Sequence, residues 1–506
     1  MNSQVQTFRR VRVKSSVLWI GALQAMTALG VWATATGGEM LRVFALGSIT
    51  LFMLTALVVS LEAGLTAMIL FEPFRGILRR AQYLIVPYSE SEPIHLVTPI
   101  VSLFVFVLLL LRNKLEIFRA TPLALPTSLL AAICFLQIFN PLQGGLSVGF
   151  VGAMFYLVPM AWFYFGQAAT VSFVPRMLRI IVALAVISSL YGVYQLVVGY
   201  PHFEQVWLEN TDKYGSIWVY NIQRALATFS SSEEWGRYIQ IGCIVAAGLG
   251  FSRNEGGKRL LWFGAAAALI ALLTLTGQRT SIFGLILGLA ILFLTGARGF
   301  RGVAARAAVM FAPFVLVFAL VNPLSDDDGF GGDNIGAMMT HTSKGLVDPA
   351  SEGSLGVRME TWTELVTETL PSNPLGTGLG TATLGATRSQ VNDDSAIDNH
   401  FLSLALSAGI PAALLLLWIL IRSLILCFRS WRDSTPESEQ ADLWRIMLAL
   451  NATFVLNNFF GTSFTIYSVA PIGWLIIGWV SAACSEMQNA ERANDTVTVH
   501  RSKLNA

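Results

Sequence analysis

Asp398-Asn399-His400 stands where a long polar stretch gives way to apolar sequence, and Arg358-x-x-x-Trp362 lies upstream in the same stretch. A carboxylate or imidazole in such a place can take the proton of an attacking hydroxyl. A guanidinium can hold an oxyanion through two parallel N–H donors. Arg279 extends the set, in the tight turn Thr276-Gly277-Gln278-Arg279-Thr280-Ser281 between two apolar runs. A cation that close to lipid needs a partner. Glu62, a loop carboxylate and an external anion are the candidates. The segment Arg224-Ala-Leu-Ala-Thr228-Phe229, followed by Glu233-Glu234-Trp235-Gly236, adds Arg224 as a third arginine and Glu234 as a supporting carboxylate.

The elements that must position these residues are membrane helices. The chain has 506 residues, of which 54% are hydrophobic and 13% charged; soluble domains carry roughly a quarter charged residues. Its mean hydropathy is +0.61. Apolar windows of about 17–25 residues recur along the whole length, and in lipid only a helix satisfies its own backbone. The expected fold is all-α: one integral membrane domain over 1–506 with about 12–14 transmembrane helices. The candidate spans are 17–36, 43–71, 94–111, 122–139, 149–165, 177–199, 235–251, 260–276, 280–296, 307–321, 401–421, 443–460 and 465–484.

Charge distribution orients them. The loops with Arg112/Lys114/Arg119, Arg253/Lys258/Arg259, Arg298/Arg301/Arg306 and Arg422/Arg429/Arg432 fall on one side by span count, the cytoplasmic side under the positive-inside rule. The large loop 322–400, the smaller loop 200–234 and the turn 140–147 fall on the other, with a tail over 485–506 inside. Between Val321 and His400 there are twelve acidic and three basic residues. The first ninety residues break the count, because it puts Arg9, Arg10, Arg12, Lys14, Arg75, Arg79 and Arg80 outside. Either the 43–71 stretch, with Glu62 inside it, is a hairpin or interfacial segment, or 17–35 is a cleaved signal ending at Ala33-Thr34-Ala35.

Within the large loop, Leu355, Met359, Trp362, Leu365/Val366 and Thr369/Leu370 recur at helical spacing, with Ser354 as cap and Pro371 as stop. The spacing predicts an amphipathic helix on the membrane boundary with Glu360, Glu364 and Glu368 toward water. Arg358 and Trp362 share a face, so Arg358 either stacks or snorkels there or reaches a ligand. Pro374-x-Gly376-x-Gly378-x-Gly380 is either a flexible connection or a backbone freed for close approach to a ligand or another helix. Asp398 or Asn399 also suits a helix cap. The acidic runs Asp326–Asp328 and Asp393/Asp394 read as solvated loop, and no metal site is predicted. The four cysteines, all in or beside apolar segments, give no disulfide framework. Nothing suggests nucleic acid, and nucleotide-binding glycine motifs are absent. Three outward arginines on a side that otherwise rejects cations point to a shared anion, and a lipid-linked diphosphate fits.

In this order the segments resemble the O-antigen ligase and polymerase superfamily of bacterial envelope glycan assembly. The resemblance rests on Thr228-Phe229…Glu234…Gly236, Gln278-Arg279-Thr280, Arg358…Trp362 with Asn373-Pro374-x-Gly-x-Gly-x-Gly, and Asp398-Asn399-x-x-Leu402…Gly409, over roughly residues 220–425. It implies an inverting, lipid-carrier-dependent glycosyltransferase of the bacterial inner membrane, working on the periplasmic face without a cofactor. The implied donor is an undecaprenyl-diphosphate-linked oligosaccharide, and the acceptor is a glycan hydroxyl. A chain-length regulator or a flippase is the implied protein partner. By resemblance Arg279 and Arg358 hold the diphosphate, with Arg224 a third candidate.

Ligases of the family show a His-Asn pair with a glycine eleven residues after the His. Here that register gives Asp398, Asn399 and Gly409, with His400 displaced, which looks more like the polymerases. Either Asp398 or His400 is then the general base, with Asp398 favoured. Attachment of finished polymer to an acceptor is the alternative. A flippase or exporter using the arginines for binding alone is the second, disfavoured by the lack of an internal repeat.

Overall fold

The computed structural model describes residues 38–88, 92–118, 121–211, 218–219, 222–296, 354–383, 397–436 and 438–504, with the single positions 302, 308, 338 and 342. The expected spans 17–36 and 307–321, the Ala33-Thr34-Ala35 site, and Asp326–Asp328, Asp393/Asp394, Lys344 and Arg388 lie outside the described residues.

Among the described residues eight helices are long and apolar enough to cross a membrane. The chain is an all-α, multi-pass membrane protein. In order, the helices are α1 Gly38–Val59, α2 Leu61–Phe71, α3 Arg75–Ala81, α4 Val97–Asn113, α5 Ala124–Gln137, α6 Leu146–Ala168, α7 Phe173–Val197 and α8 His202–Asn210. A two-residue antiparallel ladder, Trp218–Val219 with Ile222–Gln223, follows. Then come α9 Ser232–Phe251, α10 Arg259–Thr274, α11 Arg279–Gly296, α12 Ser354–Glu364, α13 His400–Ala408, α14 Ile410–Asp433, α15 Glu439–Phe459 and α16 Ala470–Leu504. The described parts of the 200–234 segment thus carry a helix and a short ladder. The helix α16 carries on through 485–504, where a plain tail was expected.

Polar contacts sort the helix ends into two sets. At one end Arg176 pairs with Glu62 at 2.6 Å, Arg179 with Glu255 at 2.5 Å, and Asn254 donates to Asp442 at 3.3 Å. At the other, Thr228 donates to the Pro73 carbonyl at 2.6 Å, Asn140 to the Gly376 carbonyl at 3.1 Å, and Arg237 to Ser463 at 2.6 Å. The membrane-length helices run from one of these ends to the other, whereas α13 begins and ends at the second.

The expected 43–71 span breaks at Ser60. Ser60 caps α2 by accepting from Ala63 N at 3.0 Å, so 43–71 is not one span. It is the outward and return limbs of a hairpin whose bend holds Glu62, and α3 continues the return limb.

Without a hydrophobic drive between helices in lipid, close backbone approach carries much of the packing. A Cβ at Gly478 would lie 1.9 Å from the Phe163 carbonyl oxygen, and one at Gly166 would lie 2.1 Å from that of Leu475. These glycines set the α6–α16 crossing. Helix α9 is buried on nearly every face and forms the centre of the bundle. Its Gln240 accepts from Asn457 of α15 at 2.7 Å, an interhelical bond inside the apolar layer.

Candidate functional site

The glycine-rich stretch after α12 threads between helix ends. Thr377 N donates to Leu406 O at 2.8 Å and Gly378 N to Ser407 O at 3.1 Å, satisfying carbonyls that α13 leaves open at its C-terminus. Ile410 N, at the start of α14, donates to Pro374 O at 3.0 Å, and Leu379 N donates to Gln137 O at 3.2 Å. Of the two readings of this segment, close approach to other helices is the one observed. Gly376 at φ +92° and Gly409 at φ +92° face each other, and a Cβ on Gly409 would sit 2.7 Å from the Leu375 carbonyl carbon. Gly409→Ala is therefore expected to lower stability by about 1–3 kcal/mol, from left-handed backbone strain and a backbone clash. Gly257→Ala, with nothing within 4 Å of its Cβ, is the control. Thermal unfolding in detergent compares them, and equal midpoints would refute this reading.

The short helix α3 carries Arg75, Arg79 and Arg80, all buried. Arg80 pairs with Glu204 at 2.7 Å, both side chains at 0% exposure, and donates to the Ala227 and Phe229 carbonyls. Arg75 reaches Glu72 at 3.1 Å and Glu234 at 3.4 Å, with its guanidinium 5.0 Å from the Tyr467 ring centroid. Arg79 pairs with Glu92 at 3.3 Å and lies 4.5 Å from the Trp207 ring centroid. Burial pushes the Glu92 carboxyl up, but the hydrogen bond from His95 and the Arg79 charge outweigh it and hold Glu92 down at about 2. The Arg79–Glu92 pair therefore stabilises the fold fully above the ordinary carboxyl value of 4.5, and that stability is lost as pH falls toward about 2.

These charges clasp the Arg224–Ser231 turn onto α3. Gln195 accepts from Ala227 N at 2.7 Å and Leu226 N at 3.1 Å. Ala227 sits at φ +50°, a conformation that surrounding bonds must enforce for a residue with a Cβ. Ser231 caps α9 by accepting from Glu234 N at 3.1 Å, and Glu234 accepts from Ser230 N at 2.9 Å. Glu234 and Thr228 thus belong to the clasp. Arg224 is half-buried at its edge, its carbonyl accepting from Tyr200. The α3 arginines were legible only as a violation of the charge rule; as paired interior groups they carry no topological weight.

A second centre is the turn after α15, which no sequence pattern singled out. Arg237 donates to Glu233 at 3.0 and 2.8 Å, to Ser463 at 2.6 Å and to the Asn457 carbonyl at 3.3 Å. Gly461 leaves room for that guanidinium, since a Cβ there would meet its Nη2 at 1.9 Å. The Gly461 carbonyl accepts from His400 N at 3.0 Å, and Phe460 O from the Thr280 hydroxyl at 3.4 Å. The Phe460 ring lies 6.4 Å from that of Trp362. The signal available in sequence was Asn457-Asn458-Phe-Phe-Gly461-Thr-Ser463, a polar and glycine cluster closing an apolar span.

Around this turn the predicted residues divide. Arg358 and Asp398 form an ion pair, with Nε at 2.8 Å and Nη2 at 2.7 Å from the same carboxylate oxygen. Their side chains keep 38% and 44% of their exposure, so the pair is open to solvent. Arg358 is engaged with Asp398 rather than merely stacked on Trp362. Asn399 is the cap of α13, accepting from Leu402 N at 3.1 Å. His400 points inward: it is 2% exposed, with its ring between those of Tyr156 and Phe464 at 5.8 and 6.0 Å. Of the two base candidates, only Asp398 meets solvent.

Arg279 is half-buried at the start of α11, next to Thr280, and therefore at the same end as Arg358 and Trp362. Glu62 sits at the opposite end with Arg176, which removes it as the partner of Arg279. Helix α12 forms as expected, then widens into a π-turn over Leu365–Thr369. Its Leu365 and Leu370 are buried, while Glu360, Glu364 and Glu368 are exposed beside a stripe of exposed Met359 and Val366. The described geometry thus gathers Arg279, Arg358, Trp362 and Asp398 about one turn at one end of a membrane bundle. No family model matches this chain, and comparison with curated proteins finds no match.

Proposed function

We propose that this protein is a lipid-carrier-dependent glycosyltransferase that polymerises diphosphate-linked oligosaccharide units on the periplasmic face of a bacterial inner membrane. The observation that carries the reading is the solvent-open Arg358–Asp398 pair, beside Trp362 and at the same bundle end as Arg279. Anionic diphosphate and the Asp398 carboxylate compete for one guanidinium. Donor binding engages Arg358, assisted by Arg279, and releases Asp398 from its ion pair. The acceptor hydroxyl then attacks the anomeric carbon from the face opposite the diphosphate. The C–O bond to phosphate breaks with its electron pair leaving on the lipid diphosphate, and Asp398 takes the hydroxyl proton. The two arginines stabilise the charge that grows on the leaving group. The cation-bearing turns near Arg253–Arg259 lie at the other end, which supports the outward assignment of the site.

Purified protein in detergent, given a lipid-diphosphate oligosaccharide and an acceptor, is expected to release lipid diphosphate and lengthen glycan without any ion gradient. No product under these conditions, with transport seen in sealed vesicles, would favour a carrier instead. Deletion of the chain separates polymerase from ligase: single-repeat carriers accumulate in the first case, long unattached polymer in the second.

A further inference from the structure

A cavity of about 420 Å³ opens at the end of the bundle opposite Arg358, between the first turns of α7 and α15 and the link from α9 to α10. It is in the size range of small-molecule sites. Its inner wall is apolar, from Leu178, Leu249 and Ile446. All three stand within two turns of a helix end.

The charges at its mouth are of two kinds. Arg179 is neutralised by Glu255 at 2.5 Å and Asp442 by Arg445 at 3.0 Å, and Asp442 also accepts a hydrogen bond from Asn254 at 3.3 Å. Lys258 and Glu439 also line the cavity, and both are exposed. One exposed cation and one exposed anion beside an apolar wall complement a zwitterion that carries a hydrocarbon tail.

We propose that this cavity binds a phosphoethanolamine group, as the headgroup of an aminophospholipid, with phosphate at Lys258 and the primary ammonium at Glu439. The ammonium donates N–H bonds to a carboxylate; a trimethylammonium has none to give. None of the described residues lining the cavity is aromatic, so they form no cage of the kind that holds quaternary ammonium groups. The site stands apart from the glycosyl-transfer reading and does not depend on it.

Native mass spectrometry of the full chain, released from detergent with diacyl lipids of matched chains, tests the assignment. Retention of phosphatidylethanolamine is expected to exceed that of phosphatidylcholine by about tenfold, the scale of one charged hydrogen-bonded contact. Glu439→Gln should abolish that preference, and Lys258→Ala should weaken retention of both lipids. Both positions are exposed, so neither change threatens folding. Soluble phosphoethanolamine that displaces the lipid would assign the group itself as ligand; failure to displace would assign the lipid, its tail included. Equal retention of the two lipids by the unmodified chain, or an undiminished preference in Glu439→Gln, would overturn the proposal, as would stronger retention of phosphatidylglycerol.

Discussion

Arg358→Ala is expected to slow glycan transfer by about 10²–10³-fold, the usual loss when one preorganised donor to a developing oxyanion is removed. Arg279→Ala should act in the same direction. In cells, either change should shorten polymer and leave lipid-linked units intact and accumulated. Arg358→Lys restores the charge without the planar fork and should recover only part of the rate. Asp398→Asn separates the two roles proposed for the pair. It should lose about 10²–10⁴-fold in transfer through loss of the base, yet bind a diphosphate lipid more tightly, because nothing then competes for Arg358. Normal chain length in both arginine variants would end the catalytic reading. Unchanged diphosphate affinity in Asp398→Asn would end the exchange step alone.

Arg80→Ala should be the most damaging single change to the fold, at about 3–5 kcal/mol, since it strands a buried carboxylate. Arg80 and Glu204 are both at 0% exposure, and two carbonyls of the Ala227–Phe229 turn lose a donor at the same time. Replacing both charges, as Arg80→Met with Glu204→Leu, should cost much less than the sum of the single changes. Thermal unfolding of the detergent-solubilised protein reads this directly. A midpoint in Arg80→Ala equal to that of the parent would show that the clasp is incidental.

How much was legible in the residues depends on the range of the interactions. Span positions follow from local hydropathy, so α4, α5, α6, α7, α9, α10, α11 and α15 stand close to where apolar windows predict them, whereas the expected 401–421 span is divided between α13 and the first half of α14. The α12 helix, its exposed glutamates and the α13 cap at Asn399 are likewise local patterns. Breaks were harder. A serine cap at Ser60 and a glycine at Gly409 each split what hydropathy reads as one stretch, because both are set by a single residue's backbone. The charge rule failed at α3 for a long-range reason, since Glu204 and Glu234, far along the chain, neutralise Arg80 and Arg75. The Phe460–Ser463 turn was missed because its importance lies in what reaches it from α9, α11, α12 and α13. Sequence favoured Asp398 over His400 without placing either side chain; cap geometry sends His400 inward and leaves Asp398 in water.

The α3 clasp also has a consequence for synthesis. Glu204 lies 124 residues after Arg80, which at roughly 5–20 residues per second means about 6–25 s before the counter-ion emerges. During that interval the first hairpin carries an uncompensated guanidinium at the bilayer edge. On this timescale the Arg80 guanidinium is expected to stay hydrated until the Ala227 turn is made and can accept its hydrogen bonds.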